Sequence, residues 1–248
     1  VVDPGPSIDA HLDAIEAAAA PLGEIRWIAV THHHPDHAPA ATGLSRRTGA
    51  PVIAHGHPEV DAPDRAVGEG YVLTTSRFAL RALHTPGHAS DHLCWLLEGP
   101  SLLFSGDHVM QGSTVVIRPP DGDMAQYLAS LERLAAERPP LRTVAPGHGR
   151  LIGDPAGVIR GIVEHRLERE QLVETVVRAW PSSTVKELLP TVYPDLAEAL
   201  VPWARQSLLA HLQKLSAEGR IGATLGPSTG PLDKCEATRW RPAGDGAA

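Results

Sequence analysis

Apolar residues recur along this chain with two periods, one helical and one typical of strands. Between Ser7 and Ala20, Ile8, Leu12, Ile15 and Ala19 share a helical face, with Ser7 placed to cap the first turn. Residues 26–30 form a short apolar run that predicts a buried strand, and 38–48 predict a helix closed by Gly49. Strands are predicted over 52–54, 71–74 and 78–83, the last with Phe78, Leu80 and Ala82 on one face. A strand pair over 93–97 and 102–104 flanks the turn Glu98-Gly99-Pro100. Asp123 opens a helix with Leu128, Leu131 and Leu134 on one stripe, and 143–145 return as a strand. This alternation implies a layered α/β domain over 1–153.

The pattern then changes. Residues 155–179 predict one long helix with Ile159, Ile162, Val163, Leu167 and Val173 facing inward, broken at Trp180-Pro181-Ser182-Ser183. This connecting segment, 154–181, leads to a smaller domain over 182–242. There, helical stretches at 184–189, 195–200 and 203–217 precede Gly219-Arg220-Ile221-Gly222 and a strand-like Thr238-Arg239-Trp240. Three short helices and a hairpin predict a winged helix, with 226–231 as its wing tip and 243–248 as a disordered tail.

Composition narrows the class. With 42% hydrophobic and 21% charged residues among 248, the chain is expected to fold rather than remain disordered. Two cysteines, Cys94 and Cys235, exclude a disulfide-stapled scaffold. No apolar run approaches the ~18–20 residues of a membrane span, so no membrane partner is expected and the cytoplasm is the default location. The whole net charge of −7 resides in residues 1–149. That balance speaks against binding dominated by phosphate neutralisation, although a local basic face stays open. In the winged helix, 203–217 carries only Arg205 and Lys214 as fixed positive charges. A structural or substrate-wall role is therefore expected there rather than the reading of duplex DNA.

The 14 histidines change the picture. Four of them fall in Thr31-His32-His33-His34-Pro35-Asp36-His37, directly after the 26–30 strand. A tight loop at a strand end can turn His32 and His34 one way and Asp36 and His37 the other. Nitrogen and carboxylate donors together suit zinc, and manganese or iron accept a similar set. Further candidate ligands follow strands downstream, in Thr85-Pro86-Gly87-His88, Phe104-Ser105-Gly106-Asp107 and Ala145-Pro146-Gly147-His148-Gly149.

In this order and spacing the motifs resemble those of the metallo-β-lactamase superfamily. The resemblance implies an αββα sandwich and a hydrolase with two divalent ions, zinc first, that share a carboxylate and a hydroxide. One ion would take His32, His34 and His88, the other Asp36, His37 and His148. Asp107 would bridge them, and Asp36 and Asp107 would be the carboxylates of the catalytic machinery. Asp3, in a V-D-P-G context, matches an aspartate that supports the site from behind. The family's hairpin ahead of that strand is not among these residues, so the N-terminal edge of the sandwich is expected to lack strands. Asp107 resembles the glyoxalase II and RNase Z-like branches, which disfavours β-lactam opening.

Gly112-Ser113-Thr114, Glu164-His165-Arg166 and Arg169-Glu170-Gln171, with the winged helix, resemble the β-lactamase-like protein 2 group. That resemblance leaves two substrate classes. A small acyl ester or thioester suits the acidic half. Single-stranded RNA would need a groove from Arg118, Arg166, Arg169 or Arg205. A binding protein with a vestigial site is the third reading, against which all seven ligand positions stand intact.

The remaining histidines have plainer expectations. His33 is the variable position of its motif and is expected to face away from the metals. His84 and His92 flank His88 as partners that orient a ligand, with a core role for His84 equally open. Asp91 either accepts from a ligand imidazole or caps a turn. His108 is a pocket-lining proton donor or a solvent or substrate contact, and His55 and His57 are expected on a surface turn, with one of them lining the cleft as the alternative. His11, His165 and His211 are structural or exposed, and Cys94 is a small buried hydrophobe.

Overall fold

The run Leu93–Leu97 is apolar because both of its faces are covered. Leu93 and Trp95 pack between two sheets, while Cys94 and Leu96 pack toward helices. This alternation organises the protein, a computed structural model describing residues 1–57, 62–224 and 237–244.

The first half holds α1 (Asp9–Ala19), β1 (Ile28–Ala29), α2 (Ala40–Thr48), β2 (Val52–Ala54) and β3 (Arg65–Ala66). Its three strands pair in parallel, and Val2 adds a bridge to Ala29. The second sheet runs β4 (Val72–Thr74), β5 (Ala79–His84), β6 (Leu93–Leu97) and β7 (Leu102–Gly106), all antiparallel. It is followed by α3 (Met124–Ala135) and closed by β8 (Thr143–Pro146), parallel to β7. Ala29, Ile53, Leu80, Ala82 and Trp95 fill the space between the sheets. Leu12, Leu44 and Val52 seat α1 and α2 on one outer face, and Leu83, Leu103, Tyr127 and Leu131 seat α3 on the other. The layers are therefore α, β, β, α, as expected.

The long helix α4 (Pro155–Ala179) belongs to two cores. Ile159 and Ile162 complete the α3 layer, whereas Val173, Val176 and Val177 join a second cluster. That cluster gathers α5 (Val185–Val192), α6 (Val201–Ala217), β9 (Ile221–Thr224) and β10 (Arg239–Pro242), the last two an antiparallel pair. Thr184 and Glu187 form a reciprocal capping box that fixes the start of α5.

Several expectations need correction. The N-cap position of α1 is Ile8, with no side-chain cap, so Ser7 lies outside the turn it was expected to close. Over 195–200 only a 3-10 turn forms, Glu198–Leu200, and α6 starts at Val201 rather than at 203, with Pro202 in its first turn, where a missing N–H costs nothing. Phe78 precedes its strand and is 40% exposed. Leu167, expected inward, is 42% exposed, and the buried stripe of α4 includes Arg166 and Glu170 instead. Burial opposes the charge on Glu170, but His211, Lys214 and Arg220 outweigh it and hold the carboxyl down at about 2. The strand β3 was not anticipated, since two exposed residues carry no apolar signal. The wing tip, Cys235 and residues 245–248 of the tail lie outside the described residues.

Candidate metal centre

Topology brings the candidate ligands to one edge. β5, β7 and β8 point the same way, so the segments leaving them carry His88, Asp107 and His148 to a common rim. The loop after β1 carries residues 31–37 there from the facing sheet. His32 Nε2 and His88 Nε2 each lie 3.0 Å from His34 Nδ1. Bonds of about 2.0–2.1 Å to a tetrahedral zinc place neighbouring donors at similar separations. On the other side, His37 Nε2 is 3.6 Å from Asp36 Oδ2, and His148 Nε2 is 3.1 Å from the same oxygen. Asp107 lies between the groups. Its Oδ1 is 3.4 Å from His37 and 3.5 Å from His148, while its Oδ2 is 3.9 Å from His88.

The rings are held in tautomers that leave the facing nitrogens bare. Asp3 accepts from Thr31 N at 2.7 Å, from Thr31 Oγ1 at 2.8 Å and from His37 Nδ1 at 2.9 Å. With the Thr31 hydroxyl hydrogen so used, His32 Nδ1–H donates to Thr31 Oγ1 at 2.9 Å. His88 Nδ1–H donates to the Val116 carbonyl at 2.9 Å. Each bond directs Nε2 into the site, the arrangement that orients metal-binding imidazoles in general. Asp3 holds φ at 46° to do this, a strained conformation for a residue with a Cβ.

Burial and charge sort the groups. Desolvation, then neighbouring histidines, lower His34 to about 4 and push His32 well below its ordinary range. His88 is lowered mainly by burial. Burial also opposes charge on His37, but Asp107 and Asp3 overcome it and raise that imidazole to about 10. A cation bound beside His37 takes the place of that proton. His37 Nε2 and Asp107 Oδ1 are buried and make no close hydrogen bond beyond their 3.4 Å approach to each other, so a cation between them has two donors ready. The residues present therefore fit divalent metal ions. A side chain at Gly147 would intrude on them, since its Cβ would lie 2.8 Å from both Asp107 Oδ1 and His37 Cε1.

The supporting residues are partly different from those expected. Asp3 supports His37 directly. His92 packs 5.0 Å from the His32 ring, but its Nδ1 meets Thr85 Oγ1 and reaches no candidate ligand. His84 donates to the Ser90 carbonyl and stacks on His55. Asp91 accepts from His33, and His33 stacks on His57, whose side chain is only 14% exposed rather than on a surface turn. His108 is fully buried against Tyr127 and depressed by burial to about 3, so it is neither a solvent contact nor a pocket-lining proton donor. Cys94 is buried as expected.

Sequence reasoning missed Arg166 as a support. This buried guanidinium donates to the Val115 carbonyl and lies over the Tyr127 ring, so it fixes the segment whose next carbonyl orients His88. Replacing Arg166 by methionine is expected to weaken metal binding roughly tenfold to a hundredfold. Chelator competition on folded protein measures this, and unchanged affinity would separate Arg166 from the site.

Comparison with known proteins agrees with this architecture. The signature of the metallo-beta-lactamase superfamily matches residues 1–148, and that of the beta-lactamase associated winged helix domain matches 184–224. A "Beta-lactamase-like protein 2 homolog" from Drosophila melanogaster is 31% identical, covering 87% of this chain and 76% of its own. An atrochrysone carboxyl ACP thioesterase from Paecilomyces divaricatus is 29% identical, covering 89% of this chain and 72% of its own. A metallo-beta-lactamase family protein from Thermus thermophilus superposes with a TM-score of 0.75 at 24% identity, covering 97% of this chain and 89% of its own. With its sandwich, its rim of histidines and aspartates and its C-terminal hairpin domain, this chain belongs to the metallo-beta-lactamase superfamily of metal-dependent hydrolases and carries that family's associated winged helix.

Proposed function

We propose that the chain is a binuclear hydrolase of an ester or thioester of a small acyl substrate. His32, His34 and His88 hold one divalent ion, Asp36, His37 and His148 hold the other, and Asp107 is shared. The placement of the two Asp107 oxygens, one toward each group of donors, carries this reading. Divalent ions held by these residues would supply activation of water at neutral pH and polarisation of a carbonyl. Zinc suits the donors best, and manganese or iron are accepted by the same set.

The chain's own residues do the rest. Asp3 and the Val116 carbonyl fix the two imidazoles that flank Asp107. The Asp36 and His148 side chains are about half exposed, so substrate approaches on their side. A groove of about 380 Å³ lies between Met110, Ser113 and Thr114 and the α4 residues Val158, Ile162 and His165. Its mixed apolar and hydroxyl lining suits an acyl body. Two of the four arginines that an RNA track would need are engaged internally. Arg166 is buried on Val115, and Arg169 donates to the Val192 carbonyl while covering the Tyr193 ring. The thioesterase relative supports the same choice.

The test is metal-loaded protein assayed on acyl-thioester panels beside labelled single-stranded RNA. Thioester turnover is expected. Cleavage of RNA without thioester turnover would overturn the substrate assignment in favour of a phosphodiesterase.

A further inference from the structure

Gly161 is a glycine that the fold does not require. It lies inside α4 without the positive φ that favours glycine, at a position where alanine is the more stable residue. A Cβ at Gly157, one turn earlier, would collide with the Asp154 carboxylate that caps the helix, whereas a Cβ at Gly161 would meet nothing within 4 Å. Gly161 does line the groove of about 380 Å³ beside α4. Val158, Ile162 and His165 share its helix face, and Met110 and Thr114 belong to the opposite wall. That wall is part of the segment running from Asp107 to the Val116 carbonyl, to which His88 donates. The segment is tied down on either side of Met110 and Thr114. The Tyr127 hydroxyl donates to the His108 carbonyl at 3.0 Å, and Arg166, one turn beyond Ile162, donates to the Val115 carbonyl.

We propose that this groove receives the hydrocarbon chain of the acyl group and that the missing side chain at Gly161 sets how long a chain it takes. The proposal rests on the ester or thioester reading above. Among the described residues, no aspartate, glutamate, lysine or arginine lines the groove. An uncharged occupant therefore loses nothing there, whereas a phosphate backbone would find no countercharge. Partial burial, then Arg166 and Arg169, lower His165 below its ordinary range, so its ring too is neutral at pH 7. Met110, Val158 and Ile162 supply apolar contact, and the unbranched thioether of Met110 adapts to chains of different shape. A larger side chain at 161 would project into the space between these residues. The glycine thus trades helix stability for room beside the segment that carries Asp107.

The test reads binding apart from hydrolysis. Thioethers of N-acetylcysteamine with two-, four- and six-carbon alkyl chains are titrated calorimetrically into chelator-stripped protein. Wild-type affinity is expected to rise about twofold to fourfold for each added methylene, the gain from burying it wholly or in part. Gly161→Leu is expected to lose that gain, binding the six-carbon compound at least about tenfold more weakly than wild type and the two-carbon compound within about twofold. Gly161→Ala should melt a few degrees above wild type, and Gly161→Leu no lower than wild type, which shows the helix intact. Wild-type affinity independent of chain length overturns the proposal. So does an unchanged chain-length dependence in Gly161→Leu, or an equal weakening of all three compounds by it. Failure of the hydrolase reading appears separately, as chain-length-dependent binding by wild type without turnover of the matching thioesters by metal-loaded protein.

Discussion

Asp107→Ala is expected to lose at least about a thousandfold in kcat/KM on whichever acyl substrate is turned over. That loss corresponds to about 4 kcal/mol of transition-state stabilisation. Asp107 is the carboxylate placed between the two donor groups, and it is also the charge that opposes burial at His37. Removing it separates the groups and leaves His37 Nε2 without the neighbour it faces. Metal content should fall together with activity. Both are read from one preparation, by elemental analysis and initial rates, with circular dichroism to show the fold retained. Full activity with full metal content would remove Asp107 from the bridging position and the proposed mechanism with it.

Gly87→Ala is expected to cost more than about 4 kcal/mol of stability, at the far end of what single substitutions do. For a chain of this size that is a fall of about 10 °C or more in melting temperature. Gly87 has φ at +135°, where a Cβ is strained, and the new Cβ would stand 2.3 Å from Tyr127 N and Cα. The obstacle is helix backbone, which cannot swing aside as a side chain would. The loop is held there from both sides, by Asp123 N donating to Gly87 O and by Ser130 donating to Pro86 O. Displacing it moves His88, so metal affinity should fall as well. Gly99→Ala serves as the control, because nothing lies within 4 Å of its Cβ position. A Gly87→Ala protein that melts like Gly99→Ala would refute the collision.

The elements that the pattern located best are those whose burial is continuous. β6 is apolar at every position because it is sandwiched, and α3 shows its stripe and its Asp123 cap plainly. The seven candidate ligands were legible because each sits in a short motif after a strand, where the chain has to turn. Their supports were less so. Val116 acts through its carbonyl, which leaves no trace in residue type, and Arg166 lies on a helix 51 residues beyond the carbonyl it holds. Leu167 was misplaced for a related reason. An inward arginine and glutamate broke the apolar stripe of α4, and their partners Val115, Lys214 and Arg220 lie far along the chain.

By itself the sequence determined the alternation of strands and helices and which donors are available, because periodicity and motif spacing are local properties, and the order of layers followed from the family that those motifs resemble. Which donors face one another was decided only by tertiary structure. His32, His33 and His34 are neighbours in one loop, yet the fold sends His33 to Asp91 and His57 and keeps the others for His88 and Asp107. Strand direction and the hydrogen bonds of Asp3, Thr31 and Asp91 make that division. Seven of the 14 histidines are so divided between two clusters, through contacts between residues as many as 112 positions apart.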